Sequence, residues 1–447
     1  MPPLAVPRAR AADEVHYRLV LREGEAQLLP QGPVTRIWGY DGQVPGPLLT
    51  APQDATLVVE AENRLGVPTS VHWHGVRLPN AMDGVAGLTQ PPILPGETFT
   101  YRFALPDAGT FWYHPHYDTG SQLGRGLYGP LIVTEKSPPV VDRDLLWVFG
   151  DWRLGDDGQV IDDFHDPFDQ AHDGRVGDLV TLNGSAADSV AVRRNELLRL
   201  RLVNACAARV LALTFEGHRP WVLARDGQPT TPWELGAAPL LLGPGMRADL
   251  LLRCDGTAES LPVVDHYNPA HPAELLRLVY EGSIESIAPD GDLQLLRANP
   301  LALPDPARAE RLEIVLAGGM MHGMGSSEAM HQGAALWTIN GQAMAHEPGT
   351  IQAVEPLFRL SLGRSYHLVV RNDSDRWHPL HLHGMHMLLL AENGETVTGE
   401  RWADSLLLAP RGSAEALLLA DNPGRWMLHC HVLQHQESGM ASVVDVA

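Results

Sequence analysis

Gly424-Arg425-Trp426-Met427-Leu428-His429-Cys430-His431 has a counterpart far upstream, Gly109-Thr110-Phe111-Trp112-Tyr113-His114-Pro115-His116. The two agree position for position as Gly-x-aromatic-x-x-His-x-His. Read as strands, such segments send residues two apart to the same face, so each His-x-His pair offers two imidazoles to one side. Moving outward, His72-Trp73-His74-Gly75 begins nine residues after Asn63, and His381-Leu382-His383-Gly384 begins nine after Asn372. Two distant parts of the chain are copies of one unit.

A third copy lies between them. Gly39-Tyr40-Asp41-Gly42, Thr181-Leu182-Asn183-Gly184 and Thr338-Ile339-Asn340-Gly341 each open a unit. A strand ending in asparagine follows, at Asn63, Asn204 and Asn372, and then a turn, at Pro95-Gly96, Pro244-Gly245 and Pro410-Arg411-Gly412. Recurrence of the same punctuation in the same order marks an internal repeat. In the middle copy the histidine position holds Leu213-Thr214-Phe215, so copies one and three carry the chemistry and copy two spaces them. With 43 glycines and 36 prolines between short Val/Leu/Thr/Tyr-rich runs, the chain reads as all-β sandwiches. Stretches 136–142 and 288–310 lack strand patterning and set the expected divisions, giving domains 1–137, 138–290 and 291–447.

Composition narrows the function classes. At 447 residues, 44% hydrophobic and 19% charged, the chain has the make-up of a soluble globular protein, and no apolar run reaches membrane-helix length. A formal charge of −21, with Lys136 the only lysine, argues against nucleic acid and for a small cationic or neutral partner. Cys206, Cys254 and Cys430 cannot form a disulfide framework; Cys206 and Cys254 could bridge or stay free. The N-terminus lacks the apolar core of a secretory signal, while Ala9-Arg10-Ala11-Ala12 suits the neighbourhood of a cleavage site. The expectation is a monomer, periplasmic or secreted after loss of an export signal, with the cytoplasm as the alternative.

Cys430 lies between His429 and His431, so alternation sends its sulfur to the face opposite the two imidazoles. On the sulfur side His435, Met440 and His378 are within reach by spacing. Two imidazoles, a thiolate and a weak thioether make the ligand set of a blue-copper electron-transfer site; zinc does not favour the thioether, and an iron–sulfur cluster needs more thiolates. On the other face stand eight imidazoles with no carboxylate among them, too many for one copper and sufficient for three. A one-electron centre wired to a multinuclear cluster suits a substrate that takes several electrons, and dioxygen takes four.

These motifs resemble those of the three-domain multicopper oxidases, the laccase and cuprous oxidase family. The resemblance rests on His72-Trp73-His74-Gly75, His114-Pro115-His116, the run from His378 to Gly384, and His429-Cys430-His431 through His435 and Met440, and it spans essentially the whole chain. It implies three consecutive cupredoxin-like Greek-key β-sandwich domains and four copper ions. Carried onto this sequence, His378, Cys430, His435 and Met440 hold a type 1 copper and His72 with His381 a type 2 copper. His74, His114, His116, His383, His429 and His431 hold a binuclear type 3 pair. Asp83 matches the family's acidic position near the type 2 copper. The residue after His435, acidic in bacterial relatives, is Gln436 here; the proton carrier in its place is either Glu437, one position later, or a chain of waters.

The implied partners are O2 and a small-molecule reductant. For the reductant two expectations stand. A laccase-like oxidase would take phenols or aromatic amines stacked near the edge of His435 or His378. A cuprous oxidase serving copper tolerance would use the soft Met/His segment Met320, Met321, His322, Met324, Met330 and His331 to hold Cu(I). A non-catalytic copper-holding protein is the remaining reading, opposed by the full set of ligand positions. His386 is expected to line its strand.

Overall fold

The computed structural model describes residues 4–7, 13–186, 188–288, 295–319, 336–344 and 354–447. Each repeat opens on a hairpin that its sequence dictates. The pairs Asp41 and Gly42, Asn183 and Gly184, and Asn340 and Gly341 take φ of +56° and +71°, +51° and +81°, and +53° and +72°. Two successive positive φ values make the type I′ turn that matches strand twist, which is why Asp or Asn followed by Gly stands there. The turn's first side chain is then reused: Asp41, Asn183 and Asn340 accept through Oδ1 from the backbone N–H of Val20, Val148 and Val315 at 2.9, 2.8 and 2.7 Å.

The strand-ending asparagines do the second repeated job. Asn63 Nδ2 donates to the carbonyls of Val67 and Ile93, Asn204 to those of Arg209 and Leu242, and Asn372 to those of Arg376 and Ala409, all at 2.7–2.8 Å. Each Oδ1 accepts from the N–H two residues on. These buried amides satisfy loop carbonyls that would otherwise cost about 1–3 kcal/mol each, and they fix where the next strand begins.

The resulting sheets repeat in order. Strands Thr35–Tyr40, Glu14–Ala26, Thr56–Asn63 and Thr98–Ala104 are neighbours in the first repeat. Leu179–Leu182, Arg143–Trp152, Leu197–Asn204 and Arg247–Arg253 follow the same order in the second. Trp337–Ile339, Glu310–Gly318, Ser365–Asn372 and Ser413–Leu419 follow it in the third. The two central strands run parallel each time, pairing Leu21, Phe149 and Leu316 with the three asparagines. One strand crosses the expected division at 137/138: Leu4–Ala5 pairs with Leu145 and Leu146 of the middle repeat's sheet.

A second sheet completes each sandwich and carries the histidines. In the first repeat it contains His72–His74 beside Gly109–His114, and in the third His378–Leu382 beside Gly424–Cys430. Alternation places Trp73, Phe111 and Tyr113, and likewise Leu428 and Cys430, in the buried core between sheets. The imidazoles of His72, His74, His114 and His429 leave by the opposite face. In the middle repeat Leu211, Leu213 and Phe215 fill their own core, which is why that unit has no imidazole to offer. The fold is all-β with three cupredoxin-like sandwiches.

Candidate metal centres

The histidine strands of the first and third repeats face one another. His72 pairs in register with His114 and His381 with His429. Between repeats, His72 stacks on His383 with ring centroids 3.9 Å apart, and His74 on His381 at 3.8 Å. His116 lies 5.0 and 5.2 Å from His383 and His429, and His431 lies 4.9 and 5.2 Å from His74 and His114. All eight rings are buried.

Hydrogen bonds fix which nitrogen of each ring is free. Nδ1 of His72, His114, His381 and His429 donates to the carbonyls of Asp83, Pro115, Asp404 and Cys430 at 2.8–3.0 Å. His383 Nδ1 donates to Asp83 Oδ2 at 2.9 Å. Each leaves an Nε2 lone pair inside the cluster, and for His72, His114 and His381 that atom has no hydrogen-bond partner among the described residues. His74 is turned the other way, its Nε2 3.4 Å from Asp404 Oδ1, which frees Nδ1. The Nε2 atoms of His383 and His429 stand 3.1 Å apart with both lone pairs facing. A cation between them would reconcile that contact. Burial first, and the neighbouring rings second, pull His74, His114, His116, His383, His429 and His431 well below the usual imidazole range, so these rings are neutral at pH 7.

On the far side of the same strand, Cys430 Sγ lies 3.4 Å from His378 Nδ1 and 3.8 Å from His435 Nδ1, and the two Nδ1 atoms are 3.1 Å apart. His435 Nε2 donates to the carbonyl of His172 at 2.6 Å, and His378 Nε2 meets Ser374 Oγ at 2.7 Å. Both free nitrogens therefore point at sulfur. Met440 is fully buried, tied by its N–H to the carbonyl of His435 and by its carbonyl to the N–H of Cys430. Burial pushes the Cys430 thiol up and pulls His435 down to about 3.

Family models described as multicopper oxidase match residues 23–138 and 327–447. The chain is 31% identical to multicopper oxidase MmcO of Mycobacterium tuberculosis, over 93% of this chain and 84% of that one. It is 34% identical to a multicopper oxidase of Pseudomonas thermotolerans of solved structure, with a TM-score of 0.86 over 98% of this chain and 100% of that one. Laccase-2 of Botryotinia fuckeliana is 26% identical over 93% of this chain and 79% of its own length. The chain belongs to the multicopper oxidase family. Its cofactor is copper, and the facing lone pairs, orphaned Nε2 atoms and buried thiol fit that metal.

In this oxidase Asp83 lies against the cluster, with Oδ2 on His383 and Oδ1 3.3 Å from His72 Nδ1. A second carboxylate, not read from the sequence, faces the other stacked pair: Asp404 Oδ1 lies 3.3 Å from His381 Nδ1 and 3.4 Å from His74 Nε2. Asp404 is held by Arg247 of the middle repeat, whose Nη2 and Nη1 reach Oδ2 and Oδ1 at 2.6 and 3.1 Å. Burial alone would raise the Asp404 carboxyl; Arg247 ahead of His381 and His74 holds it well below the usual range. Gly75, at φ +83°, makes room, since a Cβ there would lie 2.1 Å from Arg247 Nη2. The signal was present as charges inside apolar runs, Trp402-Ala403-Asp404-Ser405-Leu406 and Met246-Arg247-Ala248.

Glu437 ends the helix Leu433–Glu437 and turns to Gly120, whose N–H donates to Oε1 at 2.8 Å. Burial, outweighing that hydrogen bond, lifts its carboxyl to about 8. Gln436 is fully buried, and neither side-chain polar atom has a hydrogen-bond partner among the described residues. Cys206 and Cys254 are free thiols, both buried. His386 is buried beside the Asp226 carbonyl and Asp404. Met320, Met321, His322, Met324, Met330 and His331 lie outside the described residues. The expected stacking of a donor on His435 or His378 meets a correction: both rings are fully buried, because Trp337 lies over His435 at 4.2 Å and His172 of the middle repeat takes its Nε2.

Proposed function

We propose that this oxidase couples four one-electron oxidations of a phenol or aromatic amine to reduction of O2 to two waters, using four coppers. His378, Cys430, His435 and Met440 would hold the type 1 copper, and His72 and His381 the type 2 copper. The ring distances favour His116, His383 and His429 around one type 3 copper and His74, His114 and His431 around the other. Bound copper supplies one-electron chemistry at the sulfur side and multi-electron chemistry at the histidine side. The observation that carries this reading is the alternation along Gly424–Cys430, which puts a thiol and two imidazoles on adjacent residues facing opposite ways.

The chain's own groups do the rest. Cys430 is one peptide bond from His429 and from His431, and the His429 Nδ1–H···O=C bond to Cys430 adds a 2.9 Å shortcut between the sides. Asp83 and Asp404 fix the tautomers that aim lone pairs inward. Glu437, protonated at neutral pH, holds a proton for the reduction, which consumes four. Gas-phase oxygen uptake against oxidised donor tests the reading: four donor equivalents per O2 with no released peroxide are expected, and two equivalents with peroxide contradict it.

Cu(I) oxidation is the second reading. Gly319 and Leu336, which flank the Met/His segment, hydrogen-bond to each other at 2.9 Å beside Trp337, the residue lying on His435. Replacing Met320, Met321, Met324 and Met330 together should then lower cuprous oxidation more than phenol oxidation; equal losses count against it.

A further inference from the structure

With His435 capped, electrons must enter by another surface, and the capping segment supplies one. The His172 carbonyl that accepts from His435 Nε2 lies at the end of the short helix Pro167–Ala171. Phe168, in the first turn of that helix, is 65% exposed. Its ring stacks on His172 with centroids 4.0 Å apart and planes 18° from parallel, and His172 Nδ1 donates to the Phe168 carbonyl at 2.8 Å. Phe168, His172, the His172 carbonyl and His435 thus form one continuous path from solvent to a predicted type 1 ligand.

The segment of chain that carries Phe168 is also rich in acidic residues. Residues 156–173 contain seven aspartates, Asp156, Asp157, Asp162, Asp163, Asp166, Asp169 and Asp173, and no lysine or arginine. Some are engaged: Asp163 and Asp169 pair with Arg153, Asp163 also with Arg175, Asp173 sits 3.7 Å from Arg376, and Asp166 caps the helix. Asp162 pairs with Arg125 yet stays largely exposed. A stacked aromatic face in a negative field attracts planar cations, through the ring quadrupole at contact and through the field at longer range.

We propose that the Phe168–His172 stack is the landing site for small cationic aromatic reductants, such as protonated aromatic diamines. This rests on the reading of His435 as a ligand of the electron-entry centre. Each docked donor gives up one electron, which passes through His172 to His435, where His378, Cys430 and His435 would hold the copper that accepts it, and the donor leaves as its one-electron-oxidised radical. Four such events match one O2 taking four electrons and four protons to two waters. Neutral phenols would use the same face with less help from charge.

The test uses the copper-loaded protein, with protonated N,N-dimethyl-p-phenylenediamine as the cationic donor and ferrocyanide as the anionic one. Phe168→Ala should lower the ratio of kcat/KM for the diamine over ferrocyanide about two- to five-fold, mainly through KM, in line with an exposed cation–π contact. Phe168→Tyr should keep the ratio. Apart from turnover, the redox-inert trimethylanilinium cation should bind wild type and Phe168→Tyr saturably by calorimetry, and Phe168→Ala more weakly by the same factor. An unchanged ratio, or equal trimethylanilinium binding in Phe168→Ala, with the visible band intact in both proteins, overturns the proposal. A wild-type protein with full copper that lacks the visible band overturns instead the reading of His435 on which it rests.

Discussion

Arg247→Met isolates the contribution of the middle repeat to the cluster. Arg247 is fully buried and gives Asp404 two charge-assisted hydrogen bonds, at 2.6 and 3.1 Å, while Nη1 also reaches the Gly245 carbonyl at 3.0 Å. Methionine matches much of the volume but none of the charge. The Asp404 carboxylate is then left in the core with Ser405 Oγ at 2.8 Å and the two histidines. Breaking one side of a buried pair costs about 3–5 kcal/mol, chiefly through the stranded charge. Urea unfolding of copper-free protein should show a loss of that size. Arg247→Lys should recover part of it, because an ammonium cannot repeat the fork. The double variant Arg247→Met/Asp404→Asn should recover part of it, because the Asp404 charge is gone while the buried Asp226, 3.6 Å from Arg247 Nη1, has lost a partner too. In the loaded single variant, the electron paramagnetic resonance of the type 2 copper should change, since the Asp404 carboxylate 3.3 Å from His381 Nδ1 loses its anchor. An Arg247→Met protein with the wild-type unfolding midpoint and the wild-type resonance would refute this reasoning.

Other outcomes follow from single distances. Gly75→Ala should fold poorly or lose cluster copper, because its Cβ would strike Arg247 Nη2 at 2.1 Å in a backbone region that L residues avoid; copper per chain by elemental analysis checks this, and full occupancy contradicts it. Burial keeps the Cys430 thiol protonated and the surrounding imidazoles neutral at pH 7, so copper entering that centre must displace one proton. Loading calorimetry in two buffers of different ionisation enthalpy should find about one proton fewer released by Cys430→Ser than by wild type, and equal release would show the thiol uninvolved.

What could be read from the sequence was local. Strand alternation has a period of two, so His429, Cys430 and His431 disclose their faces without knowledge of any neighbour. The three Asp/Asn-Gly turns and three asparagines were legible for a similar reason, since each acts mainly on its own repeat. Asp404 and Arg247 stand out in the sequence only as charges inside apolar runs; their role was not legible, because it lies in a contact between residues 157 apart in the chain. The capping of His435 by His172 spans 263 residues and reverses the expectation of an open imidazole edge. Glu437 was noticed by position, but only the tertiary contact with Gly120 reveals how it is buried.

Copper per chain, measured with the visible spectrum for wild type and Cys430→Ser, bears most directly on the claim that one strand serves two centres. Wild type should bind four coppers and be blue, while the variant should bind three, lose the blue band and retain the near-ultraviolet absorption of the paired coppers. A wild type with two coppers or none, or a variant that stays blue, would contradict it.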